Sequence, residues 1–262
     1  MIEKDQEMVT GKKAADYFID SYEQVSTILV PEDRKQQIHD EIKDQQSNQD
    51  QPEYMNKPFN MKEFEEALST LKDKKSPGPD KITNEMLKHM GMRAKSKLLA
   101  IFNNSWKTGH VPQNWREADM VPIHKKGKDR TKAGSYRPIS LTSCAGKLME
   151  RLINTRLLWH LEKTNIITPK QAGFRQHRST EDQVTYIAQK IEDGFQDKQN
   201  TLTVWIDMEK AFDKVWKNGL RLKLQKSGVT GCMYQWISQY LNNRKARVHV
   251  NGAYSRKKTL RE

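Results

Sequence analysis

The sequence predicts an α+β fold. Helical spacing of apolar residues fills the first hundred positions, short apolar or alternating runs gather from residue 118 onward, and no segment repeats. With 262 residues, 35% of them hydrophobic, there is material for one large domain or two small ones. No apolar run is long enough to span a bilayer. The opening MIEKDQEMVT lacks the apolar stretch of a secretory signal. Cys144 and Cys232 form neither a disulfide framework nor a zinc spacing, so a reducing compartment, cytoplasm or nucleus, is expected.

The elements follow in order. Residues 9–29 place Ala14, Phe18, Tyr22 and Val25 on one helical stripe, and 33–48 read as a second, polar helix. Residues 43–58 are polar and bracketed by prolines, which predicts a linker. Residues 1–57 are therefore expected as a tethered, mobile helical extension, with the main domain at 58–262. Asn60 and Glu63 form a capping box for a helix bearing Phe64, Ala67, Leu68 and Leu71. The prolines and glycine of SPGPD, 76–80, stop it. Thr83 caps the next helix, and residues 94–108 make another with Leu98, Leu99, Phe102 and Trp106 inward.

From residue 118 the character changes. Met120, Val121 and Ile123 predict a strand broken by Pro122, then a basic loop, then an extended YRPISL. A long amphipathic helix covers 143–163, and Ser179 with Asp182 forms a capping box for one more. The run TLTVWID, 201–207, predicts a buried strand. Helices at 217–227 and 231–242 follow, and Asn251-Gly252 predicts a hairpin within 246–260. Most of the six tryptophans are expected in the core.

Charge narrows the partners. Residues 1–60 carry 7 Lys and Arg against 13 Asp and Glu, whereas 61–262 carry 39 against 20, for a net +13 overall. Such a surplus points to a polyanion, most often nucleic acid. No basic amphipathic helix with an aromatic edge argues for a membrane surface. Oligomeric state is left open.

Three places can carry chemistry. Asp207 ends an apolar run, where a carboxylate can hold a divalent cation; taken alone it reads first as a cap for the following helix, as does Asp213. Lys125 and Arg137 flank a glycine-containing turn and can grip a triphosphate, or the turn is a solvated loop; the Walker spacing is absent. Arg175, His177 and Arg178 offer phosphate contacts near a helix N-terminus, or form a polar flanking loop.

Four blocks occur in a telling order: KKSPGPDKITNEMLKHMG, then VPIHKKGKDRTKAGSYRPISLTSCAGKLMERLINTRL, then QAGFRQHRSTEDQV, then WIDMEKAFDKVW. Together, over residues 58–262, they resemble the reverse transcriptases of non-LTR, LINE-type retrotransposons of the jockey kind. A remoter resemblance is to group II intron-type or telomerase-like polymerases, which share the palm motif of the last block; the SPGPD and HKKGKD…YRPISL blocks favour the LINE-type family. The resemblance implies the fingers and part of the palm of a right-hand polymerase. It implies that Asp207, with the carbonyl of Met208, ligates Mg²⁺, and that Phe212 excludes a 2′-hydroxyl. It assigns Lys125 and Arg137 to the incoming triphosphate and Arg175, His177 and Arg178 to the template side. The partners implied are an RNA template, a DNA primer and dNTP. Two Mg²⁺ ions would assist attack of the primer 3′-hydroxyl on the α-phosphate. The family's later blocks, a Gly-Pro-Gln-Gly turn and an Asp-Asp strand pair, do not occur in these 262 residues. The expectation is that this stretch alone does not polymerise. The alternative is a nucleic-acid-binding module without catalysis.

Overall fold

The computed structural model describes residues 1–4, 7–46 and 52–260. In chain order they form β1 (Ile2–Lys4), β2 (Glu7–Val9), α1 (Gly11–Ser26), α2 (Glu32–Gln46), α3 (Glu53–Asn56), α4 (Met61–Ser69), α5 (Asn84–Lys88) and α6 (Met92–Thr108). Then come β3 (Glu117–His124), β4 (Tyr136–Thr142), α7 (Cys144–Lys163), α8 (Thr180–Gln196), α9 (Lys217–Lys226), α10 (Gly231–Tyr240), β5 (Lys245–Val250), β6 (Ala253–Tyr254) and β7 (Lys258–Thr259). The fold is mixed helix and sheet, as expected. Two compact units result, Met1–Leu157 with Phe212–Glu262, and Leu158–Ala211.

The first unit contains a sheet of order β4-β3-β5-β6, with β7 also paired to β5. β3 runs antiparallel to β4 and parallel to β5. The expected break at Pro122 does not occur. Pro122 faces Pro138 across the β3–β4 pair, and the bond from the Lys125 N–H to the Ser135 carbonyl, 2.8 Å, sets the alternation so that this pair needs no N–H between the strands. Pairing of β3 with β5 ends at Met120, so the missing donor on that side costs no ladder bond. The Asn251-Gly252 turn joins β5 to β6, both residues at positive φ, 47° and 80°.

One sheet face is covered by α1. Ala14, Ala15, Phe18, Ile19 and Tyr22, recurring at helical spacing, are buried with Ala118, Met120, Ala246 and Val248. The Phe18 and Tyr136 rings meet edge to face at 5.1 Å. The tethered extension is therefore corrected: α1 is part of a core. Its acidic residues are used as well. Asp20 pairs with Arg256 and with Lys258, each at 2.6 Å, and Glu41 of α2 pairs with Lys226 at 2.7 Å. Burial works against the charge of Asp20, yet the bonds from Lys258 and Arg256 win and hold its carboxyl below the usual range. The β1–β2 pair had no signal in the sequence, being only three residues a side.

A second, helical core joins Phe64 and Leu68 of α4, Phe102 and Trp106 of α6, Leu148 and Leu152 of α7, and Met233 and Trp236 of α10. The indole N–H groups of Trp106 and Trp236 find acceptors, the Asn56 carbonyl at 3.2 Å and Ser105 Oγ at 3.0 Å. The capping box of Asn60 and Glu63 is present, with both bonds at 2.9 Å. Of the expected linker, residues 47–51 lie outside the described residues. Its end is not a linker, because Met55 on α3 is buried in this core. Arg156 of α7 ties that end down. It donates to both oxygens of Glu63, at 2.9 and 3.0 Å, and to the carbonyls of Lys57 and Pro58, at 2.6 and 3.1 Å, with its guanidinium 4.1 Å from the Phe59 ring centre.

The second unit holds the end of α7, a loop, α8 and the stretch leading to residue 211. None of α8 is buried. Its capping box is present, Ser179 N–H donating to Asp182 at 2.8 Å and Asp182 N–H to Ser179 at 3.2 Å.

Candidate functional site

The tip of the β3–β4 hairpin gathers charge. Between His124 and Arg137 lie Lys125, Lys126, Lys128, Arg130, Lys132 and Arg137 against a single acid, Asp129. The loop is shaped by its own bonds. Gly127 takes a left-handed φ of 77°, and the Lys128 N–H donates to the Lys125 carbonyl at 3.2 Å. Asp129 accepts from the backbone N–H and hydroxyl of Thr131, at 2.9 and 2.7 Å, which holds its pKa below the ordinary value. Tyr136 OH donates to the Arg130 carbonyl at 2.8 Å, and Glu3 N–H of β1 to the Thr131 carbonyl at 2.8 Å. The one acid is thus occupied in the turn, while Lys126, Lys128, Arg130 and Lys132 are exposed.

Lys125 and Arg137 belong to the same hairpin end. Arg137 sits opposite Ile123 in the register and is exposed. Lys125 Nζ donates to the Gly134 carbonyl at 2.9 Å, bridging the two sides of the loop. An ammonium has three donors, so one such bond leaves two for an anion. The site can hold a phosphate chain: Arg137 offers a planar fork and Lys125 a point charge.

The remaining candidates lie elsewhere. Arg175, in the second unit, is engaged with protein. It forms a two-pronged pair with Glu162, at 2.7 and 2.5 Å, and donates to the carbonyls of Thr168 and Gln171, at 2.9 and 3.1 Å. Its side chain is only 9% exposed. It braces the loop that presents His177 and Arg178, which are both exposed. The pairing holds the Glu162 carboxyl below its usual range. Glu162 was invisible as a partner in the sequence because thirteen residues separate it from Arg175. The Asp129-x-Thr131 spacing, by contrast, is a readable turn signal.

The expected strand at 201–207 is corrected. No strand or helix forms between 199 and 216, and Trp205 and Ile206 are 78% and 88% exposed. An apolar run of this kind needs sheet neighbours on both edges and cover on both faces. Residues 201–207 pair with no strand among the described residues, and every one of them is exposed, so the run has neither neighbour nor cover. Asp207 and Met208 therefore lie on an exposed stretch, in the second unit. Phe212 is 81% exposed, in the first unit. Asp213 does not cap a helix, since α9 starts at Lys217 with Trp216 at the cap position. Of the tryptophans, Trp159 joins Trp205 at the surface. Among the described residues no group of three or more His, Cys, Asp or Glu converges as a metal-binding set. Mg²⁺ is usually held by one or two carboxylates, with water and substrate phosphates completing its octahedron, so Asp207 by itself is one part of such a site.

Known proteins bear on this arrangement. Residues 123–261, which begin in β3, match the family described as reverse transcriptase (RNA-dependent DNA polymerase). The chain is 39% identical over 205 residues to the probable RNA-directed DNA polymerase from transposon BS of Drosophila melanogaster, covering 78% of this chain and 22% of that one. It is 32% identical over 209 residues to the RNA-directed DNA polymerase from mobile element jockey of the same species, covering 76% and 23%. For the probable RNA-directed DNA polymerase from transposon X-element, also of that species, the identity is 31%, covering 76% and 22%. The chain spans less than a quarter of the length of these relatives.

Proposed function

The chain belongs to the reverse transcriptase (RNA-dependent DNA polymerase) family, in its non-LTR retrotransposon branch, and we propose that it forms the fingers and part of the palm of a right-hand RNA-directed DNA polymerase. The observation that carries this is the β3–β4 hairpin tip, with six cations against one occupied acid, inside the matched region. Its substrates are an RNA template, a DNA primer and dNTP. Lys125 and Arg137 bind the triphosphate, neutralise it and fix its orientation, which is the main task of a protein in phosphoryl-type transfer. His177 and Arg178 contact the template side, positioned by Arg175. Phe212 limits the sugar by bulk. The compartment is cytoplasmic or nuclear, in keeping with free thiols at Cys144 and Cys232.

Family members generally use divalent metal ions. Asp207 would supply one carboxylate toward such a site, and among the described residues no group of three or more metal-ligating side chains forms around it. The exposed setting of Asp207 favours a second reading, a module that binds nucleic acid without polymerising.

Fluorescence anisotropy with a labelled RNA–DNA primer–template tests the first reading, together with competition by dNTP. Arg137→Gln should weaken dNTP binding on the order of tenfold, the loss of one charge-assisted contact, with the primer–template affinity little changed. Unchanged dNTP binding in that variant refutes the triphosphate assignment. Primer extension on an RNA template separates the two readings.

A further inference from the structure

The loop between α4 and α5 carries a second cationic cluster that the triphosphate site does not use. Lys72, Lys74, Lys75 and Lys81 are all exposed, and none of their ammonium groups makes an ion pair or hydrogen bond among the described residues. The acids around them are engaged. Asp73 pairs with Lys88 at 2.7 Å, Glu85 accepts the Lys74 N–H, and Asp80 accepts the Ile82 N–H at 3.2 Å. The loop is also fixed in place. Gly78 is buried against the junction of β4 and α7, where a Cβ would come within 2.5 Å of the Ser143 nitrogen and the Thr142 carbonyl carbon. Only glycine allows that approach. The Lys81 N–H closes the turn on the Gly78 carbonyl at 3.0 Å.

This seats one cluster at the Thr142 end of β4, while the hairpin tip seats the other at the Tyr136 end. β4 has seven residues and is an edge strand, with Arg137, Ile139 and Ser140 exposed along it. At about 3.3 Å per residue the two clusters lie about 20 Å apart. A stacked strand places one phosphate every ~3.4 Å, so roughly six nucleotides span the gap.

We propose that Lys74, Lys75 and Lys81 hold the phosphate backbone of a single RNA strand that runs along β4 to the hairpin tip. The proposal rests on the nucleic-acid reading above and adds to it a track, its residues and its length. Several separated cations that each neutralise a phosphate give sequence-tolerant, salt-dependent binding.

The test uses the 262-residue chain and 5′-fluorescein oligouridylates of four and eight nucleotides, with anisotropy measured across a salt series. Two triple variants are compared, Lys74→Gln/Lys75→Gln/Lys81→Gln in the loop and Lys126→Gln/Lys128→Gln/Arg130→Gln at the tip. Each should lower the salt slope for the eight-mer by about two and its affinity at ~0.1 M salt at least about tenfold. The four-mer, too short to bridge the clusters, should bind weakly and lose much less in either variant. Replacing the three loop lysines by Arg should preserve eight-mer binding. A tip variant that weakens the eight-mer beside a loop variant that does not overturns the track and leaves the nucleic-acid reading standing. A parent chain whose affinity for both oligomers is indifferent to salt overturns both.

Discussion

Replacing Arg156 by Met should destabilise the chain by about 3 kcal/mol, the low end of what is seen when one partner of a buried pair is removed. The structure sets that figure. The Arg156 side chain is 8% exposed and Glu63 is 28% exposed, so the carboxylate left behind keeps some water and the loss stays at the low end. The carbonyls of Lys57 and Pro58 lose their donor at the same time, while the methionine stem retains contact with Phe59. Glu63→Gln is a gentler perturbation, because glutamine can still complete the capping box, and should cost about 1–2 kcal/mol. The assay is urea unfolding followed by far-UV circular dichroism, read as a midpoint shift at constant slope. In heat the same loss corresponds to a fall of roughly 6–12 °C. A loss below about 1 kcal/mol for Arg156→Met would match a surface ion pair and refute the keystone role.

Three further outcomes follow from the same geometry. Burial disfavours the charge of Glu63, but the bonds from Arg156 and the Asn60 N–H prevail and lower its pKa from 4.5. A lowered carboxylate stabilises the fold above its unfolded pKa, and that contribution is lost as pH falls through the folded value, so acid unfolding between neutral pH and strong acid should be less steep in Arg156→Met than in the parent. Trp205→Ser should change stability by less than about 0.5 kcal/mol because the ring is exposed, whereas Trp106→Ala should cost about 3–5 kcal/mol, and equal losses in chemical denaturation would refute the exposed placement of 201–207. Finally, the 262-residue chain should bind an RNA–DNA primer–template without extending it; vigorous Mg²⁺-dependent extension would show that Asp207 finds its co-ligands within the chain.

Much of the fold was legible because its signals are local. Capping boxes at Asn60 and Ser179 act over three residues, the Asn251-Gly252 turn over two, and the stripes of α1, α4 and α6 over a few helical turns, so each could be read from neighbouring letters. The basic tip of the β3–β4 hairpin was legible for the same reason: its cations are close in sequence and the hairpin keeps them close in space. Pro122 misled, because whether a proline breaks a strand depends on which neighbour its missing N–H would have served, and that is a property of register.

By itself the sequence determined the helices, the family, the charge imbalance and the residues that could meet a polyanion. The tertiary structure decided where the charges and apolar runs found partners. It turned an acidic extension into the cover of a sheet, with Asp20 neutralised by Arg256 and Lys258 from the far end of the chain. It committed Arg175 to Glu162 and left Arg178 exposed. It left Asp207 outside any strand, although the run before it is apolar enough to be one. The physical reason is common to all three. Helix formation and capping are set by contacts a few residues apart, whereas strand pairing and ion pairing depend on which distant segment occupies the free edge or faces the charge.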